Sequence, residues 1–202
     1  PLTERTQVDF VLSRGVFSVS DNGVLVSQSG GTVLADRELL WYERDGKNPK
    51  PVGAAPALYA QIDISPKEDR LAAGIFDLNA GSPDIWIYDI ARNVPLRLTF
   101  DPDFDASPIW SPDGSRIVWR SNRKGRYDIY QKVSSGAGND EVLLESEENK
   151  EATSWSSDGE FIAYTNSAVR GTTQNDIWIL PISGERKPVP FLQTGANETS
   201  AQ

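Results

Sequence analysis

Three groups of side chains in this sequence have types and spacings suited to chemistry. Asp101, Asp103 and Asp105 alternate in Asp101-Pro-Asp103-Phe-Asp105, a spacing that offers oxygen ligands to a hard cation. The glycine and distal bidentate glutamate of a helix-loop-helix calcium loop are missing. The expected reading is therefore a solvated turn, with calcium as the one cofactor the pattern allows. As an acid/base pair for glycoside hydrolysis the same carboxylates lack a matching partner elsewhere in the sequence. Arg120, Arg123, Lys124 and Arg126 form a basic cluster fit for a carboxylate or phosphate group. Glu145, Glu147, Glu148 and Glu151 form its acidic counterpart, expected to be a solvated loop.

Composition removes most other chemistry. With no histidine, neither Ser-His-Asp nor Cys-His catalysis is open to these residues, nor is histidine-ligated zinc. With no cysteine, thiol nucleophiles, thiolate metal sites and disulfides are also absent. Catalysis within this stretch would rest on carboxylates, tyrosine or lysine, and none is expected. A net charge of −9 disfavours nucleic acid and anionic lipid as partners. No apolar run approaches the ~20 residues of a membrane helix. The chain begins at Pro1 and contains no methionine, which reads as a processed or excised piece.

The elements that must position these groups are short strands. Residues 105–130 read as two strands and the start of a third around two tight turns. Ile109, Trp110, Ile117, Val118 and Trp119 suit a half-buried pleated surface. Ser111-Pro112-Asp113-Gly114 sets proline at the second turn position and glycine where φ turns positive. The phrase recurs at Ser20-Asp21-Asn22-Gly23, Ser65-Pro66-Lys67-Glu68-Asp69 and Ser156-Ser157-Asp158-Gly159, at intervals of 45, 46 and 45 residues. Lys67-Glu68-Asp69 replaces Asp-Gly, so a somewhat different turn is expected there. A second mark follows each: Glu38-Leu39-Leu40-Trp41, Asp84-Ile85-Trp86-Ile87, Asp128-Ile129-Tyr130 and Asp176-Ile177-Trp178-Ile179. Two marks on one period of about 45 residues are the signature of propeller blades. Trp86, Trp110, Trp155 and Trp178 fall at repeat-equivalent places and are expected between blades. Pro188 and Pro190 confine the last strand to an edge.

Trp110-Ser-Pro-Asp-Gly114 followed by Trp119-Arg-Ser-Asn-Arg123-Lys-Gly125-Arg-Tyr-Asp128-Ile-Tyr130 resembles the TolB-type, WD40-like propeller repeat. Trp119 stands where phenylalanine is usual, while Ser121, Arg123, Gly125, Ile129 and Tyr130 match. The fourth repeat keeps the turn and Asp176-Ile177-Trp178 but loses the Ser-x-Arg-x-Gly hairpin. Gly15-Val-Phe-Ser-Val-Ser-Asp-Asn-Gly23, Leu96-Arg-Leu-Thr-Phe-Asp-Pro102 and Lys187-Pro-Val-Pro-Phe-Leu-Gln193 resemble something narrower. They are similar to the propellers beyond the membrane segment of bacterial, especially acidobacterial, eukaryotic-like serine/threonine kinases. That resemblance implies an extracytoplasmic or periplasmic sensor or docking domain. None of the kinase motifs themselves occurs here.

The sequence therefore predicts an all-β chain: a β-propeller segment of about four blades, each a four-stranded antiparallel sheet. The blades are expected over residues 17–58, 59–104, 105–150 and 151–196, with inner strands beginning near 17, 60, 106 and 152. Residues 197–202 would open a further blade of a ring of six or more. The expected role is non-catalytic, binding protein, peptide or a small ligand at the funnel lined by Tyr59, Gln61, Asp105, Ser107, Glu151 and Thr153. The open blade faces of a partial ring are also expected to self-associate. The rival reading is a hydrolase propeller, either a carboxylate glycosidase or the gating domain of a prolyl-oligopeptidase-like peptidase.

Overall fold

Alternation of apolar and polar residues, punctuated by Ser-Pro-Asp-Gly turns, leaves the chain few ways to bury its apolar side chains except as meandering sheets. The computed structural model describes residues 37–42, 47–52, 54–167, 175–199 and 201 in full, and the backbone alone of 8–9, 14–15, 17–19 and 25–29. A short pair, β1 (Val8–Asp9) and β2 (Arg14–Gly15), precedes the repeats. The first sheet holds β3 (Phe17–Val19), β4 (Leu25–Ser29), β5 (Glu38–Tyr42) and β6 (Lys50–Pro51). The second holds β7 (Leu58–Ile64), β8 (Arg70–Asp77), β9 (Ser82–Asp89) and β10 (Val94–Arg97). The third holds β11 (Asp105–Trp110), β12 (Arg116–Ser121), β13 (Asp128–Val133) and β14 (Glu141–Leu144). The fourth holds β15 (Asn149–Trp155), β16 (Phe161–Ser167), β17 (Asn175–Pro181) and β18 (Val189–Leu192).

All four sheets are antiparallel with neighbours in chain order, the arrangement of a propeller blade. Together they form an open propeller rather than a closed ring. The inner strands begin at residues 17, 58, 105 and 149, close to the expected starts. The turn at Ser20-Asp21-Asn22-Gly23 and the hairpin region 168–174 of the fourth repeat lie outside the described residues. Among the described residues no helix is long and apolar enough to cross a membrane.

One apolar cluster fills each gap between sheets. Leu39, Val52, Tyr59, Ile62, Leu71 and Ala73 join the first sheet to the second. Ala72, Ile85, Leu98, Trp110, Ile117 and Trp119 join the second to the third. Val118, Ile129, Leu143, Ala152, Ile162, Tyr164 and Leu180 join the third to the fourth. Each fully buried Leu or Ile contributes about 1.5–3 kcal/mol, so adjacent blades hold one another through these layers. The tryptophans belong to the same layers. Trp110 is core, Trp86 packs against the first cluster, and Trp155 and Trp178 pack against the third.

At Lys67-Glu68 the turn differs in its side-chain brace and keeps the backbone hydrogen bond of the others. Glu68 N donates to Ser65 O at 2.8 Å, just as Gly114 N does to Ser111 O at 2.8 Å and Gly159 N to Ser156 O at 2.9 Å. The left-handed position taken by Gly114 (φ 70°) and Gly159 (φ 79°) is taken here by Glu68 (φ 58°). Ser111 Oγ donates to Asp113 Oδ1, and Ser156 Oγ to Asp158 Oδ1, each at 2.6 Å. Ser65 Oγ instead reaches two residues further along, to Asp69 Oδ1 at 2.9 Å. The hydroxyl-to-carboxylate brace thus survives a two-residue shift of its carboxylate, and the backbone of the turn keeps its shape.

Candidate functional site

The inner strands carry irregularities at matching places. Register shifts between Tyr59 and Ile62 in β7, between Ala106 and Ile109 in β11, and between Ala152 and Ser154 in β15. Such bulges re-aim side chains, here those of Gln61, Ser107 and Thr153. Among the described residues, Ser107 (φ 56°) is the one non-glycine inside a strand with positive φ; Asn48, Glu68, Asn93 and Arg186 lie in turns or loops. A left-handed serine costs about 1–2 kcal/mol and persists only where its surroundings fix it.

Three of the six expected funnel residues come together around that serine. Ser107 Oγ donates to Glu151 Oε1 at 2.9 Å, and Ser107 N points at Gln61 Oε1 at 3.4 Å. Arg120 Nη1 donates to Glu151 Oε2 at 3.1 Å, with both side chains about one-fifth exposed. The Arg120 guanidinium also lies over Tyr127 at 4.9 Å and over Phe104 at 5.8 Å, and those two rings meet edge to face. A relay Gln61–Ser107–Glu151–Arg120 therefore crosses from the second blade through the third to the fourth. It can present hydroxyl, amide and carboxylate groups, with the carboxylate already neutralised.

The other three expected residues do different work. Tyr59 is 1% exposed, sits in the first apolar cluster and donates its hydroxyl to Ala55 O. Burial pushes its phenol pKa up, and the neighbouring Tyr88 adds to the shift. Asp105 is fully buried, accepting from Arg123 Nη2 at 3.1 and 3.0 Å, so it faces a guanidinium rather than a ligand. Burial raises its pKa, opposed by hydrogen bonds from Ser121 and Arg123 and by the charge of Arg123. The Thr153 hydroxyl donates to Ala163 O in its own sheet at 3.3 Å.

The Asp101, Asp103 and Asp105 alternation does not converge. Asp101 Oδ1 accepts from Asp103 N at 3.1 Å, and its Oδ2 lies 3.6 Å from Arg123 Nε. Asp103 points to solvent and Asp105 inward. Among the described residues no three carboxylates sit close enough together to hold a metal ion. Arg123 accounts for this, since it draws two of the three onto itself.

Most of the basic and acidic clusters resolve into pairs rather than patches, Arg120 with Glu151, Arg123 with Asp101, Asp105 and Asp140, and Lys124 with Glu145. Arg123 donates to Asp140 Oδ2 at 2.8 Å and to Ser121 Oγ at 2.9 Å, with its guanidinium 4.4 Å from the Tyr130 ring centre. Ser121 and Arg123 of the Ser-x-Arg-x-Gly hairpin thus act as an internal clamp. Lys124 pairs with Glu145 at 2.6 Å on the surface. Lys150 escaped the sequence reading, yet only 1% of its side chain is exposed. Its Nζ donates to Asp128 Oδ1 at 2.8 Å, Ser146 O at 3.3 Å and Glu148 O at 2.5 Å, so all three donors are used. The available signal was the aspartate that opens each Asp-Ile-aromatic mark. At Asp84, Asp128 and Asp176 that carboxylate finds Arg97, Lys150 and Gln193 respectively.

Comparison with known proteins agrees with the propeller fold. The model of the TolB beta propeller domain matches residues 46–198, more than half of the chain. TolB from Acinetobacter baumannii is similar at a TM-score of 0.76 and 18% identity, over 91% of this chain and 44% of that one. A putative TolB from Agrobacterium tumefaciens gives 0.71 and 17%, over 92% and 69%. A prolyl endopeptidase structure gives 0.63 and 15%, over 86% of this chain and 29% of that one. The chain thus spans less than half the length of the Acinetobacter protein. At these identities the likeness to solved structures speaks for the fold alone, while the match over 46–198 speaks for the family. The chain belongs to the TolB beta propeller domain family.

Proposed function

We propose that this propeller is a non-catalytic scaffold that binds a protein, peptide or small ligand at the ring centre, where Gln61, Ser107 and Glu151 meet. The carrying observation is Ser107, a strained residue inside an inner strand whose hydroxyl and amide are both turned toward other blades. Strain of this kind collects at sites that hold ligands. The resemblance to kinase-associated propellers supports an extracytoplasmic sensor or docking domain of a membrane-bound serine/threonine kinase. Membership of the TolB family supports a periplasmic TolB-like protein equally, and both readings favour a location outside the cytoplasm. The test displays extended peptides on an array and measures binding by this chain and by Ser107→Val and Gln61→Ala variants. Peptides that bind the parent chain and lose binding to both variants, at unchanged melting temperature, support the reading. Binding indifferent to both variants refutes it.

The peptidase reading draws on the prolyl endopeptidase likeness and requires a hydrolase domain in the same protein. Glycosidase chemistry is disfavoured, because Arg123 and Arg120 hold the two central carboxylates, Asp105 and Glu151. The ring is also proposed to continue past the fourth sheet. Asn197 and Glu198 repeat on Asn175 the contacts that Asn149 and Lys150 make on Tyr127. A further sheet, or a second copy of the chain, would then cover Phe191, which is 72% exposed where its counterpart Leu143 is 7% exposed.

A further inference from the structure

Away from the ring centre, a cleft of about 770 Å³ opens where the third blade passes the chain to the fourth. Its walls are the hairpin turn after β12 (Lys124, Arg126) and the linker before β15 (Glu145, Ser146, Glu147), with Asp128 between them. The volume is that of a small-ligand site, but none of the lining side chains is apolar, so it does not suit an apolar or aromatic ligand. Its charges are of both signs. Lys124 and Glu145 satisfy each other across the mouth at 2.6 Å, with both side chains about half exposed. Such a pair contributes little and opens readily.

Two charges remain over. Among the described residues, half-buried Arg126 and exposed Glu147 make no hydrogen bond or ion pair. The third group is Asp128, which is 1% exposed. Its Oδ1 accepts from Lys150 Nζ at 2.8 Å and from Ser146 N at 3.2 Å, while Oδ2 has no donor among the described residues. A carboxylate oxygen without a protein donor, at the wall of a cleft, is a ready acceptor. A guanidinium without a partner is a ready two-pronged donor to a carboxylate.

From these three groups we infer that the cleft binds a small zwitterion carrying an ammonium and a carboxylate, such as a free amino acid or a short unblocked peptide. The ammonium donates to Asp128 Oδ2 and is balanced by Glu147. The carboxylate is taken by Arg126, with the Lys124–Glu145 pair opening to admit the ligand. The inference does not rest on the ring-centre reading, because it uses none of Gln61, Ser107 or Glu151.

The test titrates L-alanyl-L-alanine into isotopically labelled chain, following backbone amides by NMR, beside its N-acetylated and C-amidated forms. Saturable shifts confined to Gly125, Arg126, Ser146 and Glu147 are expected with the free dipeptide. Blocking either end should weaken binding about tenfold or more, the worth of one charge-assisted hydrogen bond. Arg126→Gln should erase the discrimination between free and amidated C-termini, and Glu147→Gln should reduce that between free and acetylated N-termini. Both variants should melt with the parent, since neither side chain holds another part of the protein. No saturable shift below about 10 mM, far weaker than a useful site, overturns the inference. So does equal binding of the blocked peptides, or loss from only one blocked end, which would describe a simple anion or cation site.

Discussion

Lys150→Met tests whether the joint between the third and fourth blades depends on one buried ion pair. The ammonium has a side chain 1% exposed, and its partner Asp128 has one 2% exposed. In Lys150→Met a side chain of similar length remains, so little packing is lost. Asp128 is left with Ser146 N at 3.2 Å as its one donor on Oδ1, and Ser146 O and Glu148 O each lose a donor. Breaking one half of a buried pair costs about 3–5 kcal/mol, because the remaining charge stays out of water. Replacing both halves, as Lys150→Met with Asp128→Leu, removes that uncompensated charge. The double variant should recover most of the loss, retaining about 1 kcal/mol for the orphaned Ser146 amide. Urea unfolding followed by tryptophan fluorescence gives the total, and hydrogen exchange of β15 and β16 amides shows whether the loss is local to the joint. Because the pair is buried, the loss should be nearly independent of salt. A single-variant cost below about 1 kcal/mol, the value of an exposed pair, would refute the dependence of this joint on the Lys150–Asp128 pair. So would a double variant as unstable as the single one.

Three further outcomes follow from the same geometry. Glu68→Gly should stabilise the chain by about 0.5–1 kcal/mol in urea unfolding, because glycine accepts the left-handed conformation at φ 58° without steric cost. Hydrogen bonds from Ser111 and Ser115 hold the Asp113 carboxyl down at about 2. A folded pKa below the unfolded value means its bracing is complete above about pH 4 and is lost as pH falls toward 2; the Ser115 amide should therefore titrate by NMR with a midpoint near pH 2, and a midpoint near 4 would contradict it. Leu143→Ala should cost about 2–5 kcal/mol as a buried truncation, whereas Phe191→Ala at the equivalent place should stay within about 0.5 kcal/mol, both read by thermal unfolding of this chain.

The fold was legible because it is written locally. Ser111-Pro112-Asp113-Gly114 and its counterparts fix turns within four residues, and the Asp-Ile-aromatic marks fix the third strand of each sheet. Period and turn chemistry need no knowledge of what lies across the ring. The site was only partly legible, since its contacts join distant residues. Ser107 meets Glu151 44 residues on, and Arg120 meets the same carboxylate 31 residues on. Reading Arg120, Arg123, Lys124 and Arg126 as one cluster and Glu145 to Glu151 as another kept apart groups that the packing of blades brings into pairs. Tyr59 misled for a related reason. A polar-tipped residue at the start of an inner strand can face the funnel or the neighbouring blade, and the hydroxyl's acceptor, Ala55 O, decides it. The Glu68 turn was legible for the opposite reason, since its changed brace from Ser65 to Asp69 lies within five residues.

The repeated aspartate shows why a repeat can specify its fold so firmly and its binding so loosely. Asp84, Asp128 and Asp176 stand within the first three residues of equivalent strands, but each meets a different donor: Arg97 from the outer strand of its own sheet, Lys150 from the next blade, and Gln193 beyond β18. The requirement common to all three is a donor for a carboxylate at the edge of the joint, not a residue at one fixed position. Selection on the fold can therefore be satisfied from several places in the chain, leaving the remaining charges at each joint free to vary. At the joint between the third and fourth blades, Lys150 meets that requirement from below. Arg126 and Glu147 are then not needed for stability. Charges released from structural duty, beside a cleft, are available for a ligand, and this separates Arg126 from Arg123 although they stand three residues apart.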